Sequence, residues 1–579
     1  MTDHTREQMT TSSDTGTASG FSDTLKRPLV FDGTASPVKT ALFLLICAAW
    51  VLPGLVGHDP WKPDEAMAMG VVHAMLENRD VFAWLLPQIA GQPTTEYPPL
   101  YYWTASLFAA LLGWVLPVHD AARLASGFFM LLTIVYLYKA ANKLIDERAG
   151  RIAVALLLGS LGLLLRAHEM NPEIAALAGM SIGIYGLTRI RFEPRKGGTT
   201  AGIGAAVIAL SVGLVHALIV PLAAVVMLAL LHDWRNAAFR RGIAYCVASL
   251  ALGAAIYPML LLIFGVGSQR LVLDAIVGTP LLDTNLPSLI SPTYFLQILP
   301  WYALPTLPMA IWLWRKDRRV IGERIELALP LAVFLAALVV LSLAREARDV
   351  VGVSLLLPLA LAAAHSLDRL PKGVASFVDW FGLVFFGALA AGIWLYWSAA
   401  LLGTPEAAAR AMARAAPGFQ MQFSWLPFLI AATLTVVWLY AVAMAHRNNR
   451  RAIVNWVAGI TLIWVLLNLL GLPAVDHVRS YRQPVGEVAA QLVRQPGCVI
   501  GVNIGDPQRA MFDYFAGQRF VAPKSADASS CPWMLMQGTK QNAPDVTAPW
   551  TLVWEGARPA ERVEQFRLYL RQPTLVASR

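Results

Sequence analysis

"HDPWKPDEAMAMGVVHAMLENRDVFAWLLPQIAGQPTTEYPPLYYW" runs from His58 to Trp103. One apolar run, Ala41 to Val56, precedes it, and many more follow. The stretch gathers acids (Asp64, Glu65, Glu96), a Pro98-Pro99 pair and the aromatics Tyr101, Tyr102 and Trp103. It decides how the rest of the chain is read, because it is the first stretch to leave the lipid and the richest in chemistry.

Of 579 residues, 57% are hydrophobic and 14% charged, against about 25% charged in soluble chains. The apolar residues fall in runs near the roughly 20 that a spanning helix needs. This is the pattern of a polytopic α-helical membrane protein. The strict alternation of a membrane β-barrel is absent. The net charge of +9 sits in short loops between apolar runs: "RIRFEPRK" (189–196), "HDWRNAAFRR" (232–241), "RKDRRVIGER" (315–324) and "HRNNRR" (446–451). Basic short loops mark the cytoplasmic side, so the charge is a topology signal and no nucleic-acid partner is expected.

Residues 1–38 are polar and read as a disordered cytoplasmic tail, without a signal-peptide pattern. Lys26, Arg27 and Lys39 precede the first span, which places the N-terminus inside. Residues 58–120 then form a large outer loop. Within it, "PLYYWTASLFAALLGWVLP" (99–117) is apolar enough to span. Counting it as a span would put every later basic loop outside, so it is read as a juxtamembrane or re-entrant helix. Further spans are expected at 121–138, 152–166, 174–190, 201–217, 219–231, 242–265, 293–314, 326–343, 350–366, 375–398, 424–444 and 452–471. The total is about 13, which leaves the C-terminus outside. A transmembrane unit thus covers 39–472. Residues 473–579, with short runs such as "CVIGVNIG" and "WTLVWEG", read as an exported α/β domain. Cys47 and Cys246 lie in spans. Cys498 and Cys531 lie in the outer domain and are either a disulfide or two free thiols.

Three places on the outer face carry ionisable groups. Asp64 and Glu65 open "PDEAMAMGVVHAMLE", an amphipathic helix whose first turn suits acids in any case. The tyrosines and Trp103 equally suit an interfacial belt. A second place is "RAHEMNPEIAALAGM" (166–180), a short loop holding Arg166, His168, Glu169, Asn171 and Glu173. Ionisable groups at bilayer depth are costly and point to function, although an Arg–Glu pair closing a helix hairpin is the simpler alternative. Gly179 and Gly183 there have the spacing of a helix-packing motif. The third is "SLAREARDVVG" (342–352), where Arg345 and Arg348 run against the positive-inside bias. A bound phosphate explains them; pairing with Glu346 or Asp349, or with a lipid headgroup, is the alternative.

The first outer loop resembles that of the bacterial aminoarabinose transferase and protein O-mannosyltransferase group of GT-C glycosyltransferases. The shared pattern is an acidic pair after span one, an amphipathic helix, and a Glu shortly before Pro-Pro-Leu-Tyr-Tyr-Trp. It continues at "AARLAS" (121–126), "PTYFLQILPWYALP" (292–305) and "DHVRSYRQPVGEVA" (476–489). The resemblance implies transfer of a sugar from a polyprenyl-phosphate carrier on the periplasmic side of the bacterial inner membrane. It matches Asp64 to the first-loop catalytic acid, Glu96 to the Glu before the Pro-Pro pair and Glu173 to a second-loop Asp. Arg345 and Arg348 fall near the group's basic residues. Tyr97 stands where the group has Lys, and His216 where Lys-Gly-Pro is common. These departures leave the sugar unassigned.

The expected reaction is inverting: the acceptor attacks the anomeric carbon and polyprenyl phosphate leaves. A carboxylate takes the acceptor's proton and fixed cations hold the departing phosphate. Asp64, Glu65, Glu96 and Glu173 are the catalytic candidates. Substrate contacts are assigned to Lys62, Tyr97, Tyr101, Tyr102, Arg123, His168, Arg345 and Arg348. No metal is required, since no tight His/Asp cluster demands one, although a divalent ion could share the phosphate. The acceptor is an envelope glycolipid such as lipid A, another glycan or a protein. The alternatives are a flippase or transporter of a lipid-linked sugar, and a non-catalytic scaffold.

Overall fold

In hydrocarbon, a backbone must satisfy its own N–H and C=O groups, so apolar runs of this length fold as helices. The computed structural model describes residues 37–78, 81–94, 96–265, 290–342, 348–444, 449–541 and 549–572. The expected N-terminal tail and Arg345 lie outside the described residues. Among those described, seven helical segments are long and apolar enough to cross a membrane: Val118–Leu144, Ala237–Ile263, Ile325–Ser342, Asp349–Arg369, Lys372–Leu402, Trp425–Met444 and Arg450–Arg494. The protein is therefore polytopic and helical. Asp349–Arg369 is almost wholly enclosed by its neighbours, whereas Lys372–Leu402 and Trp425–Met444 expose most of their apolar surface, as lipid-facing helices do.

Shorter apolar helices lie between these, and three expected spans are interrupted. The run 152–166 breaks into Glu147–Leu158 and Leu161–Arg166, where Trp456 Nε1 donates to the Gly159 carbonyl at 2.8 Å. The run 201–217 stops at Val212, because Gly213 adopts φ +105° before the short turn Leu214–Ala217. The run 293–314 divides into Ile290–Tyr302 and Thr306–Lys316, with Pro305, which has no N–H to donate, at the junction. Gly179 and Gly183 do serve helix packing: a Cβ on Gly179 would meet the Gly204 carbonyl at 2.7 Å, and one on Gly183 would meet Val220 at 2.7 Å.

The C-terminal residues build a mixed sheet flanked by helices. A hairpin in the loop after the first apolar helix pairs β1 (Gln88–Ile89) with β2 (Gln92–Pro93). The C-terminal strands are β3 (Val499–Val502), β4 (Phe520–Val521), β5 (Trp533–Thr539), β6 (Trp550–Gly556) and β7 (Glu564–Arg571), in the order β4-β3-β5-β7-β6. β4, β3 and β5 are parallel, and β7 and β6 antiparallel. Alternate strand residues face opposite sides. Val499, Leu535 and Leu568 join the core under the helices Arg482–Arg494 and Asp506–Ala516, while Ile500, Met534 and Tyr569 form a second cluster. Cys498 and Cys531 form a disulfide beside the paired starts of β3 and β5.

This unit sits on the loop that follows the first apolar helix. A Cβ on Gly70 would lie 2.6 Å from Ala510 Cβ, so the helices Asp64–Glu77 and Asp506–Ala516 pack at close range. The amphipathic helix expected at the membrane surface is consequently buried along most of its length. Glu65 is buried by protein, while Glu77 at the far end of the helix stays exposed.

Candidate active site

Asp64 and Glu65 occupy the first turn of the helix Asp64–Glu77, where the backbone dipole favours carboxylates. Successive side chains on a helix diverge by about 100°, and these two go to different partners. Glu65 is 2% exposed. Its Oε1 accepts from Arg123 Nε at 2.8 Å and from the Met170 N–H at 3.1 Å, and its Oε2 accepts from the Trp61 N–H at 3.2 Å. Burial would raise its proton affinity, but Arg123, His58 and these hydrogen bonds outweigh burial and hold the carboxyl below the usual range. Arg123 is fully buried and also donates to Asp120 at 2.7 Å and to the backbone carbonyls of His58 and Leu55. Glu65 and Arg123 thus fasten the loop to the helix Val118–Leu144.

Asp64 faces two guanidinium groups. Arg348 Nη1 donates to Asp64 Oδ1 at 3.1 Å, and Arg166 Nη1 lies 4.0 Å from Oδ2. Arg348 Nη2 donates to Glu96 Oε1 at 3.1 Å and to Tyr97 Oη at 2.6 Å. Burial pushes the Asp64 carboxyl above its ordinary value; Arg348 and Arg166 oppose that rise, and Asp349 and Glu65 add to it. Burial also drives the Tyr97 phenol well up, so it stays protonated.

Glu96 and Tyr97 reach Arg348 because the chain doubles back just before them. Ala90 (φ 49°) and Gly91 (φ 78°) are both left-handed, as the tight turn of the β1–β2 hairpin requires. Trp103 Nε1 donates to the Trp84 carbonyl at 2.6 Å and closes the strap. Tyr102 is buried within the electrostatic reach of Glu96, Asp64 and Arg348. Glu173 opens the helix Pro172–Arg189, capped by Asn171, whose Oδ1 accepts from the Glu173 N–H at 3.0 Å. Its buried carboxyl feels Arg348, Asp64 and Glu96.

Three further groups complete the cluster. Arg166 Nη2 donates to both Asp349 oxygens, at 2.9 and 3.1 Å, and Nη1 donates to Glu169 Oε2 at 2.7 Å. Tyr302 Oη donates to the Asp349 carbonyl at 2.7 Å. Burial lifts the Glu169 carboxyl to about 7, against the pull of Arg166. In sequence, Asp349 is a natural partner for its neighbours Arg345 and Arg348; in the fold it binds Arg166, 183 residues away. The signal for Arg166 was available: it is an arginine in a short loop that the charge pattern reads as outer, against the positive-inside bias.

Asp64, Glu96, Glu173, Tyr97, Tyr102 and Arg348 therefore converge. Glu65, Tyr101, Arg123, His168 and Lys62 stand apart, in supporting positions. Tyr101 Oη shares a 2.7 Å hydrogen bond with Ser126 Oγ. His168 is held between Trp50 and Trp464, its two ring nitrogens facing the Leu164 and Trp50 carbonyls at 2.7 and 2.9 Å. Lys62 Nζ donates to Glu564 Oε2 of the C-terminal unit at 3.0 Å. Among the described residues one cluster has metal-ligand spacing, His73, Glu77 and Asp513, with ligand atoms within 4.8 Å of one another. Arg519 bridges its two carboxylates. His73 is nine residues beyond Asp64, or about 13 Å along the helix.

Residues 96–265 match the family described as dolichyl-phosphate-mannose-protein mannosyltransferase. The undecaprenyl phosphate-α-4-amino-4-deoxy-L-arabinose arabinosyl transferase of Pseudomonas savastanoi pv. phaseolicola is 33% identical over 122 residues. That match spans 21% of this chain and 21% of the relative. The crystal structure of ArnT from Cupriavidus metallidurans bound to undecaprenyl phosphate aligns with a TM-score of 0.65 at 18% identity, over 92% of this chain and 98% of that one. The apo form of the same protein aligns with a TM-score of 0.65 at 17% identity, over 91% and 97%. The overall fold is shared with these structures.

Proposed function

We propose that the chain is a GT-C glycosyltransferase of the aminoarabinose transferase and protein mannosyltransferase group and transfers a sugar from a polyprenyl-phosphate carrier to an envelope acceptor. The observation that carries this reading is the meeting of Asp64, Glu96 and Arg348 at 3.1 Å contacts, from segments 252 to 284 residues apart in the chain. A carboxylate of raised proton affinity beside a fixed cation suits proton removal next to a departing phosphate.

In the proposed step, the acceptor oxygen attacks the anomeric carbon from the face opposite the phosphate. The carbon–oxygen bond to phosphate breaks, polyprenyl phosphate leaves with the electron pair, and the configuration inverts. Asp64 takes the proton of a hydroxyl acceptor. Arg348 stabilises the charge that grows on the leaving phosphate, with Glu96 and Tyr97 fixing its plane. Arg166, tied to Asp349 and Glu169, keeps a second positive charge beside Asp64. No step requires a metal. The acceptor class is an envelope glycolipid, another glycan or a protein.

The proposed topology has 13 spans in the bacterial inner membrane, with the N-terminus inside and the C-terminal unit in the periplasm. The helix Leu100–Leu112 supports it: 13 residues extend about 20 Å, short of the roughly 30 Å hydrocarbon core. The test is mass spectrometry of envelope lipids, glycans and proteins from cells with and without the chain. It is followed by single-turnover transfer with the purified protein and the polyprenyl-phosphate sugar so identified. A product absent from the deletion strain supports the reading. Unchanged envelope composition, with no transfer in vitro, refutes it.

A further inference from the structure

The backbone just before Asp64 is held by residues that follow the last apolar run, in addition to Arg123 on the helix Val118–Leu144, which takes the His58 carbonyl. Asp476 Oδ1 accepts from the Asp59 N–H and from Trp61 Nε1, both at 2.9 Å. The Asp59 carboxylate accepts from Ser480 Oγ at 2.6 Å and from the Arg482 guanidinium. Arg479 lies over the Trp61 ring at 5.2 Å. Lys62, two residues from Asp64, reaches Glu564 at 3.0 Å.

Glu564 is 7% exposed and is the hub of this clasp. Besides Lys62, its carboxylate accepts from Tyr481 Oη at 2.9 Å, from Gln537 Nε2 at 3.0 Å and from Gln508 Nε2. Tyr481 opens the helix Arg482–Arg494, Gln508 lies on the helix Asp506–Ala516, Gln537 on β5, and Glu564 begins β7. Three elements of the C-terminal unit thus converge on the carboxylate at the start of β7, which also pairs with Arg558 at 3.4 Å and with the lysine two residues before Asp64. On the other side, Glu65 is fastened to Arg123 and Met170. Asp64 is held between two anchors, one from each part of the molecule.

We infer that the C-terminal unit is a working part of the transfer site: through the Glu564–Lys62 ion pair it sets the position of Asp64. Lys62 and Glu564 are positioning residues that touch neither donor nor acceptor. The inference rests on the proposed transfer for its catalytic consequence and on the geometry alone for its structural one. A displacement of the order of 1 Å at a reacting group costs about 100-fold in rate. Loosening this anchor therefore slows the chemical step and leaves donor affinity in place.

The test uses the full-length protein with Lys62→Met, Glu564→Gln, the double variant, Lys62→Arg and Tyr481→Phe. Each single variant of the pair is expected to lower kcat by about 10- to 100-fold with donor KM unchanged. The double variant should be no worse than either single one, since both break the same contact. Lys62→Arg should restore most of the rate. Tyr481→Phe loosens the hub without removing the lysine contact and should stay near wild type. Hydrogen exchange of the peptide over residues 59–65 should quicken in Lys62→Met and Glu564→Gln alike. A raised donor KM confined to Lys62→Met would make Lys62 a substrate contact and overturn the inference. So would additive losses, an equal loss in Tyr481→Phe, or unchanged exchange at 59–65. The exchange measurement needs no turnover, so an inactive wild type refutes the transferase reading while this arm still decides the positioning claim.

Discussion

Arg348 and Asp64 lie 284 residues apart in the chain and meet at 3.1 Å, guanidinium to carboxylate. The same guanidinium holds Glu96 and Tyr97. A single cation thereby assembles the loop 58–117 against the segment that leads into Asp349–Arg369, the most enclosed of the long helices.

Asp64→Asn keeps the side-chain shape and removes the proton acceptor. Single-turnover transfer should fall by about 10²- to 10⁴-fold, the span for loss of a general base. Asn also suits a helix start, so insertion and yield should match wild type. Transfer at the wild-type rate would remove the base role from Asp64 and leave Glu96 as the next candidate.

Arg348→Ala should reduce kcat/KM for the lipid-phosphate donor by about 10- to 100-fold, the worth of a hydrogen bond to a charged group. Arg348→Lys should recover only part, because an ammonium cannot donate along the two directions that Asp64 and Glu96 occupy. Steady-state kinetics with varied donor and fixed acceptor are the measurement. A fully active Arg348→Ala enzyme would transfer the phosphate role to another cation, Arg166 first.

Arg123→Met should act on stability instead of chemistry. It strands the buried Glu65 and Asp120 carboxylates, and breaking one partner of a buried pair costs about 3–5 kcal/mol. Chemical denaturation in detergent should show that loss. The surviving folded fraction should keep a normal donor KM, which a direct substrate contact by Arg123 would not permit.

Glu169 supplies a pH signature. Its folded value, near 7, lies above the ordinary carboxylate value. In the folded protein it therefore keeps its proton over a range where the unfolded chain has lost it. The associated stability is full below about pH 4.3, the unperturbed value, and is lost as pH rises toward 7. Glu169→Gln cannot titrate. The drop in melting temperature between pH 5 and pH 7.5 should be larger for wild type than for this variant, and equal drops would contradict the shift.

Lys143→Cys should be labelled from the cytoplasmic side only, and a cysteine added after Arg579 from the periplasmic side. The native Cys47 and Cys246 are buried and Cys498 and Cys531 are paired, which keeps the background low. Outside labelling at position 143 would make 99–117 a full span and reverse the topology.

The sequence by itself determined that the chain crosses a membrane many times, that acids gather where it first emerges, and that an α/β unit follows the last apolar run. Those features are local. Apolar run length, loop charge and strand patterning act through the solvent each segment meets, and no distant partner is needed to read them. The interruptions at Gly159, Gly213 and Pro305 were harder to see, because composition continues across them while backbone geometry does not. What tertiary structure alone decided is how the acids and cations pair. Asp64 and Glu65 are neighbours, yet one faces Arg348 and the other Arg123, 58 residues on. Lys62, a phosphate-ligand candidate in the sequence, pairs with Glu564, 502 residues away. Arg166 and Asp349 find each other across 183 residues. An ionisable side chain takes its role from the charge that burial places beside it, and in this protein that charge comes from a distant part of the chain.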